Sequence, residues 1–154
     1  MKTVLTHSPE ETESVGAQLA AYMETHPEIP PFLALYGDLG VGKTAFTRGF
    51  ASVYAPGTAV RSPTFALVNE YKNGKKSLFH FDMYRIQDES DLESIGFYDY
   101  LDRPGVCLVE WSENIPYALP ERYLRITLVK LPASPDDRGE DCCREIRFEE
   151  VLPC

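Results

Sequence analysis

Polar and apolar residues alternate along this chain in two rhythms, one suited to strands and one to helices. Residues 3 to 6 read as a short strand. Ser8-Pro9-Glu10-Glu11 then carries a helix start: Ser8 caps, Pro9 fits the first helical position, and Glu11 completes a capping box. Val15, Leu19, Tyr22 and Met23 follow at helical spacing and predict one core-facing stripe, until Pro27 and Pro30-Pro31 stop the helix. Phe32 to Tyr36 form a continuous apolar run, as in a strand buried on both faces. A helix beginning at Lys43 places Phe46, Phe50 and Val53 on one side and ends before Pro56-Gly57.

The middle of the chain changes rhythm. Phe65 to Tyr71 and Ser77 to Asp82 flank the turn signal Lys72-Asn73-Gly74-Lys75, which predicts an antiparallel hairpin foreign to a purely parallel sheet. Residues 88 to 101 suit one or two short helices closed by Arg103-Pro104-Gly105. Val106 to Glu110 is a second buried strand. Arg122 to Lys130 and Arg144 to Phe148 alternate, as half-buried or edge strands do, across an acidic Pro- and Gly-bearing loop from Pro132 to Asp141. The pattern predicts one α/β domain over residues 1–154: a three-layer fold with a mixed sheet that includes an antiparallel hairpin.

Chemistry enters at Gly37-Asp38-Leu39-Gly40-Val41-Gly42-Lys43-Thr44. Two glycines with four residues between them, Gly37 and Gly42, followed by Lys and Thr, fit the P-loop pattern, and the segment lies between a predicted strand and a predicted helix. Such a pattern arises by chance in roughly one chain of this length in two hundred, and the context lowers that further. In this setting backbone N–H groups turn onto a polyphosphate, Lys43 reaches the β- and γ-oxygens, and the Thr44 hydroxyl can ligate Mg2+. As an ordinary turn, the segment would leave a lysine at the positive end of a helix dipole with no anion opposite.

Hydrolysis needs acidic groups from elsewhere. Asp82 and Glu110 each end a predicted strand, and in open α/β sheets ligands bind beyond the carboxyl ends of the strands. Alone, Asp82 reads better as a turn or helix-capping residue and Glu110 as an exposed strand end; beside the phosphate loop the balance turns to the site. Ser62-Pro63-Thr64 fits both a Ser-Pro turn and a switch loop whose Thr64 senses the γ-phosphate. His80 reads as a packed or capping histidine, and Trp111 alone as core.

Composition then narrows the partners. The 154 residues carry 15 Lys and Arg against 24 Asp and Glu, a net charge of −9. That balance argues against direct electrostatic capture of nucleic acid, so any contact with RNA runs through another protein. Arg61, Lys72, Lys75 and Lys76 form the one basic stretch and read as a solvated loop and strand edge. No apolar stretch approaches the length of a membrane span, and the first residues lack the apolar core of a signal peptide, so the expected location is the cytoplasm. Cys107, Cys142, Cys143 and Cys154 show neither zinc spacing nor disulfide density; Cys107 reads as core and Cys142-Cys143 as exposed.

Four motifs in order resemble the bacterial TsaE family: Gly37 to Thr44 with its flanks, Ser62 to Tyr71, His80-Phe81-Asp82-Met83-Tyr84-Arg85, and Leu108-Val109-Glu110-Trp111. The resemblance runs from about Thr6 to Pro120. It implies a small ATPase of tRNA threonylcarbamoyladenosine biosynthesis, which works with a threonylcarbamoyl transferase and its noncatalytic paralogue and resets that complex by hydrolysing ATP. By the same resemblance Gly37 and Gly40 to Ala45, with Val41, Gly42 and Lys43 between, hold the phosphates, and Thr44 and Glu110 hold Mg2+. Asp82 assists through the metal or the attacking water, Thr64 is the switch residue, and Trp111 lies close to the nucleotide. His7 to Pro9 border the adenine, and Gly139 approaches the nucleotide. Met83 stands where the family usually has Leu, and no motif matches beyond Pro132.

Three rivals share the phosphate loop. A phosphotransferase would bring arginines from a lid, for which Arg85 is the candidate. A GTPase would show an Asn-Lys-x-Asp type motif, which this sequence lacks. A nucleotide-gated interaction module would bind ATP without needing to hydrolyse it.

Overall fold

The computed structural model describes residues 2–63, 67–74, 76–132 and 143–153. Seven strands form one sheet: β1 (Lys2–Thr6), β2 (Phe32–Tyr36), β3 (Val68–Asn73), β4 (Lys76–Asp82), β5 (Gly105–Glu110), β6 (Tyr123–Lys130) and β7 (Arg144–Val151). Their spatial order is β1-β7-β6-β2-β5-β4-β3. The four central strands β6, β2, β5 and β4 are parallel. The pairs β1/β7, β6/β7 and β3/β4 are antiparallel, so the mixed α/β sheet with its hairpin is as expected.

Alternation along the buried strands supplies two cores. Leu33, Leu35, Leu78, Leu108 and Ile126 face helices α1 (Pro9–Thr25) and α2 (Lys43–Tyr54). Phe32, Ala34, Phe79, Phe81 and Val109 face the other way, onto α3 (Glu89–Ser94), α4 (Phe97–Leu101) and the 3₁₀ turns Ser112–Asn114 and Pro116–Ala118. On that second side Phe97 sits edge-on to Phe32 and Phe81 at centroid distances of 6.4 and 5.3 Å, a favourable aromatic geometry.

Helix α1 starts as its sequence requires, with the Ser8 hydroxyl accepting from Glu11 N at 3.1 Å and Pro9 in the first turn. The Glu11 carboxylate, however, accepts from His7 N, one residue before the expected partner. The stripe also differs from expectation. Thr12, Gly16 and Ala20 form the buried line, Val15, Leu19 and Met23 flank it, and Tyr22 is 52 % exposed and stacks on His26. The reason is a close crossing with α2. A Cβ at Gly16 would stand 2.9 Å from Phe50 N, and one at Gly49 would stand 2.7 Å from Glu13 Cα. Two glycines bring the helix backbones together, and the small-residue line, rather than the large-residue line, faces inward.

Three further expectations shift. Strand β3 begins at Val68 rather than Phe65, because Leu67 adopts a left-handed φ of 64° that breaks extended pairing; Phe65 and Ala66 lie outside the described residues. The hairpin ladder continues to Asn73↔Lys76, so its turn is tighter than Lys72 to Lys75. Strands β6 and β7 are half-buried as their alternation implies, but neither is an edge: β1 covers β7, and β1 and β3 are the edges. No described helix is long and apolar enough to cross a membrane.

Candidate nucleotide site

The loop after β2 and the start of α2 form one floor of a cavity of ≈ 500 Å³, within the size range of small-molecule sites. Leu39, Gly40, Gly42, Lys43, Thr44 and Ala45 line this floor. Gly42 caps α2 from a left-handed φ of 104°, a conformation open to glycine and costly for other residues, and as a glycine it offers no side-chain cap to the first helical N–H groups. Those donors and the helix dipole therefore favour an anion at this end. Gly37 turns the chain out of β2 at φ 143°, where a Cβ would meet the Leu128 carbonyl oxygen at 2.6 Å. Gly37 and Val41 do not line the cavity; Val41 packs into the α1/α2 core.

Lys43 is 6 % exposed, and its Nζ donates to the Gly37 carbonyl at 2.6 Å. The ammonium also lies 3.7 Å from the centroid of the Trp111 ring. Burial pushes the Lys43 pKa down, and the negative charges of Glu110, Glu113, Asp82 and Asp38 oppose that shift. Burial is the larger effect, so the Lys43 pKa lies below its ordinary value and the four carboxylates limit the drop.

The opposite wall comes from the sheet. Asp82 and Glu110 are register partners at the ends of the adjacent parallel strands β4 and β5, and both line the cavity. Burial raises the Asp82 pKa, with Glu110 adding to the rise, while the Tyr84 N–H donated to its Oδ1 at 2.9 Å works against it. Glu110 is 5 % exposed and accepts at 2.5 Å from Nε2 of His80, a fully buried ring. Trp111 follows at a left-handed φ of 59°, a rare conformation for a bulky residue, which turns its indole back over Lys43 beside Tyr84.

His7, Ser8, Pro9 and Thr12 from the start of α1 complete one rim, with Ser62 and Arg144 at others. The expected site residues His7, Pro9, Gly40, Gly42, Lys43, Thr44, Ala45, Asp82, Glu110 and Trp111 thus converge. Thr64 and Gly139 lie outside the described residues, as do Cys142 and most of the acidic loop. Arg85 is not in this cavity; it borders a small hollow with Leu67, Asp82 and Tyr84.

Sequence reasoning missed four contributors. Arg144, which opens β7, donates to the Gly40 carbonyl at 3.4 Å and puts a cation beside the phosphate loop. Glu113, in the turn after Trp111, accepts from Gly37 N at 3.1 Å and braces the loop's neck. Thr12 is buried, with a 2.8 Å hydroxyl contact to Thr6. His80 read as packing, although its place two residues before Asp82 on a buried strand was the available signal.

Oxygen donors suited to a hard divalent cation, the Thr44 hydroxyl and the carboxylates of Asp82 and Glu110, share this cavity. No group of three or more His, Cys, Asp or Glu forms a metal cage among the described residues. Mg2+ usually takes one or two carboxylates and completes its shell with water and substrate phosphates.

The family model described as "Threonylcarbamoyl adenosine biosynthesis protein TsaE" matches residues 6–138. The chain belongs to the TsaE family. Among curated TsaE proteins, that of Bacillus subtilis (strain 168) is 41% identical over 146 residues, covering 95% of this chain and 84% of the relative. The Haemophilus influenzae Rd protein is 40% identical over 106 residues, covering 69% and 67%. Both are named "tRNA threonylcarbamoyladenosine biosynthesis protein TsaE". The crystal structure of Bacillus subtilis YdiB superposes with a TM-score of 0.74 at 34% sequence identity, covering 98% of this chain and 85% of that one. The TsaE resemblance and the fold class read from the sequence are both borne out.

Proposed function

We propose that this protein is a Mg2+-dependent ATPase acting in tRNA threonylcarbamoyladenosine biosynthesis. The observation that carries the reading is one cavity in which an uncapped helix start, a buried lysine and two strand-end carboxylates converge. Family membership supplies the pathway.

In this reading the backbone N–H groups from Gly40 to Ala45 take the phosphates of ATP, and Lys43 exchanges the Gly37 carbonyl for a phosphate oxygen. Arg144 adds positive charge beside the loop, and His7, Pro9 and Trp111 border the rest of the nucleotide. Thr44 and Glu110 would hold Mg2+, with Asp82 beside them, and the ion would supply positive charge against the phosphates. Asp82, fixed by its hydrogen bond from Tyr84 N, orients a water against the γ-phosphorus. A P–O bond forms from that water, the bond to the β–γ bridging oxygen breaks, and ADP, phosphate and a proton leave. Trp111 and the α1 start limit water access to the phosphates.

Hydrolysis then resets a complex of threonylcarbamoyl transferase and its noncatalytic paralogue, and tRNA is met only through them. The net charge of −9 supports that indirect route. Nucleoside analysis of tRNA from a strain lacking the protein is the decisive experiment, with loss of threonylcarbamoyladenosine expected. Full retention would refute the pathway role. ADP release by the purified protein with its partners tests hydrolysis separately, and binding without turnover would leave a nucleotide-gated module.

A further inference from the structure

His80 does no work in the mechanism above, yet it is fully buried on the α1/α2 face of β4 and points at a proposed metal ligand. The strand register puts His80 opposite Leu108, two residues before Glu110, so the ring reaches diagonally across the ladder to Glu110 Oε2 at 2.5 Å. A carboxylate can only accept, so the ring hydrogen sits on Nε2. Among the described residues Nδ1 has no hydrogen-bond partner, which makes Glu110 the polar contact that justifies an imidazole here. The Tyr71 ring lies 6.3 Å from the imidazole, centroid to centroid, and the Tyr71 hydroxyl accepts from Arg61 N just ahead of Ser62-Pro63.

We propose that His80 is a positioning residue: its Nε2–H occupies one oxygen of Glu110 and turns the carboxylate so that the other is presented to the cation. The inference rests on the nucleotide–Mg2+ reading of the cavity. Partners of this kind typically change metal affinity or activity by about 10–100-fold when removed, because a free carboxylate rotates and must be ordered each time the ion binds.

The test compares two amides of different reach. His80→Gln can place an N–H near the position of Nε2, whereas His80→Asn ends near Nδ1 and falls short of Glu110. Mn2+ binding to the ADP-bound protein, read by electron paramagnetic resonance, reports the metal directly, and ADP binding in EDTA reports the rest of the site. His80→Asn should weaken Mn2+ binding about 10–100-fold with metal-free ADP affinity preserved, and His80→Gln should recover most of the loss. Equal Mn2+ affinities in the two variants, whether both normal or both weak, would overturn the proposal. Failure of the unmodified protein to bind Mn2+ with ADP would instead refute the nucleotide–metal reading itself.

Discussion

Gly49→Ala separates two sources of stability by sign. Alanine is the better helix former by about 1 kcal/mol, so propensity alone predicts a more stable protein. The crossing predicts the reverse. A methyl at Gly49 would stand 2.7 Å from Glu13 Cα, against 3.4 Å for ordinary contact, so the helices must separate by at least about 0.7 Å, and the Glu13 carbonyl demands more. The obstacle is backbone, which cannot rotate aside as a side chain can. Overpacking of this kind costs about 3 kcal/mol at the upper end of its usual range, leaving a net loss of about 2 kcal/mol after the propensity gain. For a chain of this size that lowers Tm by about 4–8 °C. The same movement separates the α1 start from the phosphate loop, so nucleotide affinity should fall as well. Thermal unfolding by circular dichroism and a nucleotide titration followed by Trp111 fluorescence check both. A variant with unchanged or raised Tm would refute the close crossing.

Lys43→Ala should reduce ATP affinity by more than about tenfold, since loss of a charge-assisted hydrogen bond costs about 1.5–3 kcal/mol, and isothermal titration reads it; unaltered binding would remove Lys43 from the site. Glu110→Ala, or EDTA on the unmodified protein, should suppress ATP turnover while leaving metal-free nucleotide binding measurable, and normal kinetics in both would exclude the metal role. Burial raises the Cys107 thiol pKa from 9.0 to about 12, so iodoacetamide at pH 8 should modify Cys107 only after unfolding. The folded pKa is the higher one, so this contribution to stability is complete below pH 9.0 and declines as pH rises toward about 12; a urea midpoint that rises over this interval in the unmodified protein relative to Cys107→Ala would contradict it.

The phosphate loop was legible because all its requirements are local: glycines for the turns, Lys43 and Thr44 at fixed offsets, and a strand immediately before. Asp82 and Glu110 were legible through a rule about strand ends, which needs only the correct strands. Arg144 was not, because its approach to Gly40 depends on β7 lying two strands from β2, and alternation gives a strand its faces but no neighbours. Glu113 and the orientation of Trp111 depend on one left-handed residue, which a tryptophan in the sequence does not announce. Tyr22 was misplaced for a different reason. Helical spacing marks which residues share a side but not which side meets a partner, and here two glycines decided it. His80 reads as a packed or capping residue because no second histidine lies at a metal-ligand spacing, whereas its partner is a carboxylate on the neighbouring strand.

The pairing of β1 with β7 carries a consequence for how the site comes into being. Residues 2–6 are held in the sheet by residues 144–148, and β1 leads directly into His7 and Pro9 at the cavity rim. During synthesis the phosphate loop and both carboxylates emerge long before β7 does, whereas Arg144 and the sheet partner of β1 arrive only with β7. A nascent chain lacking β7 therefore carries the floor and the carboxylate wall without Arg144 or the strand that holds β1, and its affinity for nucleotide should rise once β7 pairs.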